Sequence, residues 1–269
     1  LRVIWDSTDK SDARDARMLA MIARLEPKLL WPIRHRDVDT HNDLEVIKAR
    51  DMLVQSRTKL INHVRSVVKG CGERLPTCSA ECFANRVVDL LPEALRPALM
   101  PLMDIIAQMT ERIRALDKRI NTLAAERYPQ TRWLQQVPGV GPVTALTYIL
   151  TIEDPGRFAK SRMAGPYLGL TPRRDQSGVV DKQLRITKAG NVYLRKLLVG
   201  SAHYIIGPFG PDSDLRQHGL AITARGGKNA RKRAAVAVAR KLAVLLHRLW
   251  FSEQVYVPLH ARQKAQRAA

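Results

Sequence analysis

The sequence has few cysteines, no long apolar run and a shortage of acidic residues relative to basic ones. Only three of its 269 residues are cysteines, Cys71, Cys78 and Cys82. With His63 as the nearest candidate for a fourth ligand, their spacing matches no standard zinc site. The remaining histidines are scattered without metal-binding spacing. We therefore expect free thiols in a reducing cytoplasm.

No apolar run reaches the length of a membrane-spanning helix and no signal peptide is recognisable, so a membrane partner is disfavoured. What the chain has instead is basic charge. Its 45 Lys and Arg residues outnumber 25 Asp and Glu residues, which gives a net charge of +20 at pH 7. An excess of this size is typical of a protein that binds a polyanion, nucleic acid first. A hydrophobic content of 45% supports folded cores, and the length suits two domains.

The stretch Gly165–Asn191 is too irregular and too basic for a core segment. Within Arg157–Lys196, ten Lys and Arg residues accompany two acids, and glycines and prolines mark turns. The one serine of the stretch, Ser177, has cationic residues on both sides in the sequence: Arg173, Arg174, Arg185 and Lys188. A serine on such a loop suits attack on a phosphodiester, because guanidinium groups can hold the phosphate. By itself, a Ser-Gly pair is more often a surface turn.

Carboxylates recur at every third position near the N-terminus, at Asp6, Asp9, Asp12 and Asp15. The segment predicts a short strand or loop followed by a helix from about Ser11. Carboxylates three residues apart on a helix share a face and can share a divalent metal ion. An acidic first turn that complements the helix dipole explains the same spacing and is favoured by spacing alone.

The middle of the chain predicts long helices. A mostly apolar series steps by three and four: Val46, Ala49, Leu53, Ser56, Leu60, His63 and Val67. A stricter seam with two apolar residues per heptad follows: Leu99, Leu102, Ile106, Met109, Ile113, Leu116, Ile120 and Leu123. A seam this narrow favours a coiled coil over a helix lying on a core. The pattern leaves open whether the partner helix lies in the same chain or in another.

The residues Val137–Gly141, followed by Ala145, are typical of a helix-hairpin-helix. Its glycines, Gly139 and Gly141, would let backbone N–H groups approach a phosphate at the start of the next helix. A tight turn without a ligand is the alternative.

A helix capped by Thr187 or Asn191 is expected after the serine stretch, with Arg195 on its first turns. The last helical segment is basic in its first half and apolar nearly all round in its second. Its basic end is an additional candidate for contact with nucleic acid.

Two motifs carry a resemblance to a known family. The sequence LGLTPRRDQSG, followed by ITKAGNVYLRKLL, resembles the C-terminal transposase domain of the insertion-sequence-110 family, whose members are DEDD-type transposases understood as RNA-guided DNA recombinases. The sequence KSDARDA at 10–16 resembles the family signature K-x-D-x-x-D-A. The resemblance implies that Ser177 becomes joined to DNA. It also implies that Asp12 and Asp15 are the third and fourth carboxylates of a RuvC-like Mg²⁺ site.

The same resemblance implies DNA and a guide RNA as partners, a homo-oligomer assembled through the coiled coil, and a cytoplasmic, DNA-associated protein in bacteria. The first Asp and the Glu of the family's four carboxylates lie on a strand-rich stretch that this chain lacks. We therefore expect a recombinase fragment that is inactive by itself. The alternative is a non-catalytic helix-hairpin-helix fragment that binds nucleic acid.

The predicted fold is mainly α, with four regions. Residues 1–36 would be a remnant of an RNase H-like α/β domain, 37–128 a helical coiled-coil region, 129–256 the transposase domain, and 257–269 a basic tail. The predicted nucleic-acid-binding residues are Gly139, Gly141, Arg173, Arg174, Arg185, Lys188 and Arg195.

Overall fold

The computed structural model describes residues 11–27, 36–177 and 180–260, and confirms a mainly α fold. The chain divides into two compact units, residues 1–37 and 38–269. The α-helices are α1 (Asp12–Leu25), α2 (Val38–Gly70), α3 (Phe83–Val87), α4 (Arg96–Thr122), α5 (Thr131–Gln135), α6 (Pro142–Ile152), α7 (Ala164–Tyr167), α8 (Val192–Ile206), α9 (Asp214–Ala224) and α10 (Ala230–Ser252). The strands are β1 (Pro172–Ser177) and β2 (Val180–Ile186). None of the helices in the described ranges is both long enough and apolar enough to cross a membrane.

The described part of the first unit contains α1, which begins where the sequence predicts. Ser11 is its N-cap, and the Ser11 hydroxyl oxygen accepts a hydrogen bond from the N–H of Arg14 at 3.4 Å. Asp12 and Asp15 lie in the first turn, where carboxylates complement the helix dipole. Both explanations of their spacing therefore remain compatible with the helix. The strand or loop predicted before Ser11 lies outside the described residues.

In the second unit, α2 and α4 pack against each other as an antiparallel pair. Arg50 Nε lies 2.5 Å from a carboxylate oxygen of Asp117, and Arg57 Nη1 donates to Thr110 Oγ1 at 3.1 Å. The residue numbers of the contacting residues fall along α4 as they rise along α2, so the two helices run antiparallel. The predicted seam thus has a partner helix within the same chain.

The buried stripe of α4 is rotated relative to the predicted seam. The residues shared by both are buried: Leu99, Ile106, Ile113 and Ile120. The buried stripe also includes Met103 and Thr110, which are not part of the predicted seam. The predicted seam has Leu102, Met109 and Leu116 instead, and these three are only partly buried. Thr110 can be buried because its hydroxyl donates to Ile106 O at 2.8 Å and accepts from Arg57. A polar pairing with α2 therefore determines which face of α4 is covered.

The main core of the second unit is built by α6, α8 and α10. Helix α6 is apolar on all sides, and every residue from Thr144 to Ile152 is buried. Two of its threonines donate to carbonyls one turn earlier, Thr147 to Val143 O and Thr151 to Thr147 O, each at 2.6 Å, so these two buried hydroxyls are satisfied. The fully buried Tyr148 donates its hydroxyl to Ala243 O of α10 at 2.6 Å. These bonds anchor α10 against the centre of the unit.

A buried histidine ties α10 to the irregular segment before α7. His247 Nε2 lies 2.9 Å from Pro155 O, and Nδ1 lies 3.0 Å from Ser161 Oγ. A carbonyl can only accept, so Nε2 carries the proton and Nδ1 accepts from the serine hydroxyl. Burial lowers the pKa of His247 because it disfavours the imidazolium form. The neutral ring thereby holds the 3₁₀ turn Ser161–Met163 beside α10.

Candidate nucleic-acid interface

The serine stretch forms a β-hairpin, where the sequence predicts only an irregular loop. Strands β1 and β2 pair antiparallel, and Ser177 is the last residue of β1, opposite Val180. Residues 178–179 lie between the strands and outside the described residues. The backbone of Ser177 therefore lies at the distal end of the hairpin. The loop prediction was wrong because it was based on glycine and proline content and overlooked the pairing of polar residues, such as Asp175 with Lys182.

The base of the hairpin is a close backbone contact that requires glycine. Gly169 and Gly190 have φ values of +65° and +70°. A Cβ on Gly169 would lie 2.3 Å from Ala189 N, and one on Gly190 would lie 2.3 Å from Tyr167 O. No side chain fits at either position without moving the backbone. The close contact holds the two ends of the hairpin together.

Arg195 stabilises the base of the hairpin from the interior of the protein. It lies on α8, is only 8% exposed, and its Nη1 donates to Leu168 O at 3.0 Å and to Ala189 O at 2.7 Å. The helix that carries it begins at Asn191, whose side-chain oxygen accepts from Leu194 N at 3.0 Å. Asn191 is therefore the cap, as one of the two predicted alternatives has it.

The sequence predicts that Arg195 binds nucleic acid, but the structure places its side chain inside the protein. Its guanidinium is buried and bonded to two carbonyls, one at each end of the hairpin. We assign Arg195 as a positioning residue for the hairpin.

The glycine-rich turn lies between α5 and α6, and its two glycines differ. Gly139 has a φ of +87°, and a Cβ there would lie 2.7 Å from Cδ1 of Tyr204 on α8. Gly141 is the N-cap of α6 in an extended conformation, with open space where a Cβ would lie. Pro142 follows as the first helical residue, which suits its fixed φ and missing N–H. Gly139 is needed for the turn itself, whereas Gly141 leaves the start of α6 open to solvent.

A large basic groove lies between the base of the hairpin and helices α9 and α10, with a volume of about 2050 Å³. Its α10 wall carries five exposed cationic side chains: Lys232, Arg233, Arg240, Lys241 and Arg248. Four further cationic residues line it from other elements: Arg162, Arg185, Lys188 and Arg225. Two predicted residues, Arg185 and Lys188, are thus brought together with Lys232 and Arg233 of the predicted basic end and with five cationic residues that were not predicted.

The remaining predicted residues are placed differently. Arg173 is exposed on β1 but is not part of the groove lining, and the side chain of Arg174 lies outside the described residues. A periodic signal for the missed residues exists in α10, where Arg240 and Arg248 follow Arg233 of the predicted basic end at intervals of seven and eight. This spacing keeps them on one helical face. The second half of α10 is therefore not apolar nearly all round.

Cationic crowding in the groove affects the one histidine of α9 that lines it. The pKa of His218 is lowered by burial and also by the positive charges of Lys241 and Arg225. Both effects disfavour a further positive charge at this point. The groove therefore has a positive potential that an anion would relieve.

Comparison with known proteins gives the family. Residues 131–214 match the profile described as "Transposase IS116/IS110/IS902 family", and residues 2–72 match a second transposase profile of the IS110 DEDD type. The chain is 30% identical over 261 residues to the transposase for insertion sequence element IS1111A of Coxiella burnetii, with 93% of this chain and 69% of that protein covered. The chain belongs to the IS116/IS110/IS902 transposase family. A probable family 20 transposase of Pseudomonas aeruginosa is 27% identical over 260 residues, with 93% and 75% covered.

The first profile match covers the glycine turn, the hairpin and α8, but it ends at the start of α9. The whole α10 wall of the groove thus lies beyond the region that the first profile matches. The second match includes Asp12 and Asp15. These two carboxylates lie three residues apart at the start of α1, with Asp12 exposed and Asp15 partly buried. Among the described residues, no group of three or more His, Cys, Asp or Glu side chains is placed to hold a metal ion.

Proposed function

We propose that this transposase cuts and rejoins DNA through Ser177, with Asp12 and Asp15 contributing to a Mg²⁺ site and an RNA guiding the choice of DNA. The observation that carries the proposal is the position of Ser177, at the distal end of a hairpin whose base is fixed by two glycines and Arg195. A nucleophile on an element with a fixed base can be held at a phosphate with little conformational cost.

The proposed reaction is a transfer of one ester bond. Ser177 Oγ attacks a DNA phosphorus, a phosphoserine ester forms, and the bond from phosphorus to a 3′- or 5′-oxygen of the DNA breaks. The serine proton leaves, and the released DNA oxygen ends as a hydroxyl group. The ester conserves the bond energy, so that a second DNA hydroxyl can displace Ser177 and restore it. Arg173 and Arg185 offer cations to the phosphate oxygens.

Asp12 and Asp15 suit Mg²⁺ in chemistry and spacing. Mg²⁺ prefers oxygen ligands and is commonly bound by one or two carboxylates together with water and substrate phosphate. Two carboxylates at i and i+3 of α1 supply that number on one helical face. Bound Mg²⁺ would offset negative charge on the phosphate and favour the ionised hydroxyl.

The test is a covalent adduct. A form of the protein that also supplies the two other carboxylates of the family's site should, with Mg²⁺, guide RNA and DNA substrate, give a protein–DNA adduct that survives denaturation. Mass spectrometry should place the adduct on the peptide that contains Ser177. An adduct on a different residue would remove Ser177 as the nucleophile and leave a metal-only nuclease mechanism as the better account.

We also propose that the turn before α6 contacts a phosphate of bound nucleic acid. Replacing Gly141 with Val should leave the fold intact, because its backbone is extended and the space around it is open. The side chain would shield the first N–H groups of α6, so the affinity for a DNA oligonucleotide should fall roughly tenfold. Fluorescence anisotropy at two salt concentrations measures the change.

Two further variants separate binding from folding. Gly139→Val should instead lower the free energy of unfolding by roughly 1–3 kcal/mol or more, because it forces a branched residue to a positive φ and against Tyr204. Gly70→Val also fills open space, but at the end of α2, and should change neither property much. If Gly141→Val binds DNA as tightly as the unchanged protein, the turn is a structural connection only.

A second copy of the chain is the partner we propose for the uncovered face of α4. Met109 and Leu116 of the predicted heptad seam are only partly buried and the nearby Ile105 is 41% exposed, although all three are apolar. These three residues lie on α4 outside its buried stripe. An intermolecular contact along this seam would remove apolar surface from water.

Met109→Glu combined with Leu116→Glu should convert the oligomer into a monomer in sedimentation experiments, because it places charges in that contact while sparing the buried stripe. Gln108→Glu with Ala115→Glu adds the same charge at exposed positions of α4 and is the matched control. Substituting Ile106 and Ile113 would be uninformative, since both are buried within the chain. Sedimentation of the unchanged protein as a monomer at high concentration would contradict the proposal.

Guidance by RNA would leave the protein to recognise backbone and shape. In RNA-guided systems base pairing selects the sequence, while the protein contacts the backbone through positive charge. The net charge of +20 and the nine exposed cationic side chains of the groove are consistent with that division of roles.

A further inference from the structure

We propose that the groove between the hairpin and α10 binds an unpaired nucleic-acid strand, with phosphates on its cationic rims and bases on its apolar floor. The proposal rests on the proposed action on nucleic acid but is independent of the chemistry at Ser177.

The charge of the groove selects a polyanion. Nine Lys and Arg residues line it, whereas Asp214 is the one carboxylate in the described lining. None of the nine forms an ion pair with a carboxylate in the ranges 11–27, 36–177 and 180–260. Their charges are thus available to an anionic ligand. A row of phosphates is the ligand whose charge matches most of them at once.

The floor of the groove distinguishes an unpaired strand from a duplex. We define the floor as the partly buried apolar side chains of the lining: Ile186, Val236, Val244 and Leu245. Two more apolar lining residues, Met163 of the turn before α7 and Leu184 of β2, are 49% and 44% exposed. A duplex keeps the apolar faces of its bases inside the stack, so it offers phosphates to the rims and nothing apolar to the floor. An unpaired strand exposes base faces that can cover this surface.

The shape of the groove suits a strand that runs along α10. The helix contributes lining residues in adjacent pairs from Asn229 to Arg248, which is one continuous face about 28 Å long. At the middle, Arg240 lies across α7, with its Cγ 3.1 Å from where a Cβ of Gly165 would be. Lys188 and Arg185 reach the groove from the base and strand β2 of the hairpin. A strand held here would therefore contact the same hairpin that carries Ser177.

Binding of oligonucleotides to the whole chain tests the inference. Labelled single-stranded DNA of about 12 nucleotides, RNA of the same sequence and the blunt DNA duplex are compared by fluorescence anisotropy at one salt concentration. We expect at least one single strand to bind roughly tenfold or more tightly than the duplex. Preference for RNA would indicate contacts to 2′-hydroxyl groups, and equal binding of both strands would indicate contacts to phosphates and bases only.

Charge variants assign the binding to the groove. Arg240→Ala with Arg248→Ala should weaken single-strand binding roughly tenfold or more and should lower its salt dependence. Arg112→Ala with Lys118→Ala removes the same charge from exposed positions of α4 and should change the affinity less than about twofold. Equal losses for both pairs would show general charge attraction and overturn the proposal.

The apolar floor is tested without a change in charge. Met163→Ser with Leu184→Ser alters exposed positions, so the fold should be retained and circular dichroism should be unchanged. Single-strand affinity should fall about threefold or more, while duplex binding should not change. Duplex binding that equals or exceeds single-strand binding, together with no effect of this pair, would overturn the inference.

The pKa of His218 provides a local measurement of strand binding in the groove. Its pKa is below the ordinary value because burial, and then Lys241 and Arg225, disfavour the imidazolium. Phosphates bound to those cations should raise this pKa, which NMR titration of the free and strand-bound protein measures. An unchanged His218 with tight binding would place the strand elsewhere. Ser177→Ala should bind the strand normally. A result that contradicts strand binding in the groove can therefore be distinguished from one that contradicts Ser177 as the nucleophile.

Discussion

Replacing Ser177 with alanine is expected to abolish strand exchange while leaving DNA and RNA binding nearly intact. The change deletes one hydroxyl at the distal end of the hairpin and no charge. Removal of a covalent nucleophile typically costs a factor of roughly a thousand or more in rate, because the remaining groups can bind the phosphate but cannot form the ester. The denaturation-resistant adduct should disappear, as measured by gel electrophoresis and mass spectrometry.

Removal of the neighbouring cations should affect DNA binding as well as catalysis, unlike removal of the serine. Arg173→Ala or Arg185→Ala takes away a charge that can pair with phosphate, so binding and chemistry should both weaken, by roughly tenfold each. Ser177→Thr keeps a hydroxyl and serves as a chemical control. Undiminished recombination by Ser177→Ala would contradict the mechanism and would leave a metal-only nuclease mechanism as the better account.

Replacing Arg195 with alanine is expected to destabilise the protein by roughly 2–4 kcal/mol. The substitution removes two hydrogen bonds from a buried guanidinium and leaves Leu168 O and Ala189 O without that donor. It also leaves a cavity beside α8, and each of these effects is costly inside a protein. Urea denaturation followed by circular dichroism measures the loss in free energy of unfolding.

The adjacent Lys196 is a matched control for charge. Its ammonium is 59% exposed and pairs with Asp51 at 3.1 Å, so Lys196→Ala should change stability by less than about 1 kcal/mol. Arg195→Lys, which keeps the charge but not the two-point geometry, should recover only part of the stability. If Arg195→Ala leaves stability unchanged but weakens DNA binding as much as Arg185→Ala, the result would support the prediction that Arg195 binds nucleic acid and would contradict its role in the hairpin base.

Local patterns in the sequence were sufficient for the long helices. The period of the apolar residues placed the helices, Ser11 and Asn191 marked two helix starts correctly, and net charge indicated a polyanion partner. Each of these features depends on neighbours within a few residues, or on composition alone. The hairpin was missed because its strands are mostly polar and none of their described side chains is buried, so no buried face is seen that would impose alternation on the sequence.

The sequence by itself determined that this protein is mainly helical, strongly basic and related to a family of transposases, since periodicity, composition and motif residues are properties of the chain. Only the tertiary structure decided that Arg195 is internal and that α4 turns one particular face to α2. The tertiary structure also brings Arg162, Arg185 and Arg240 together in one groove, which the sequence did not predict. These outcomes depend on which distant segments pack together, and packing is decided by the fit of buried side chains and the pairing of buried polar groups, which no local pattern records.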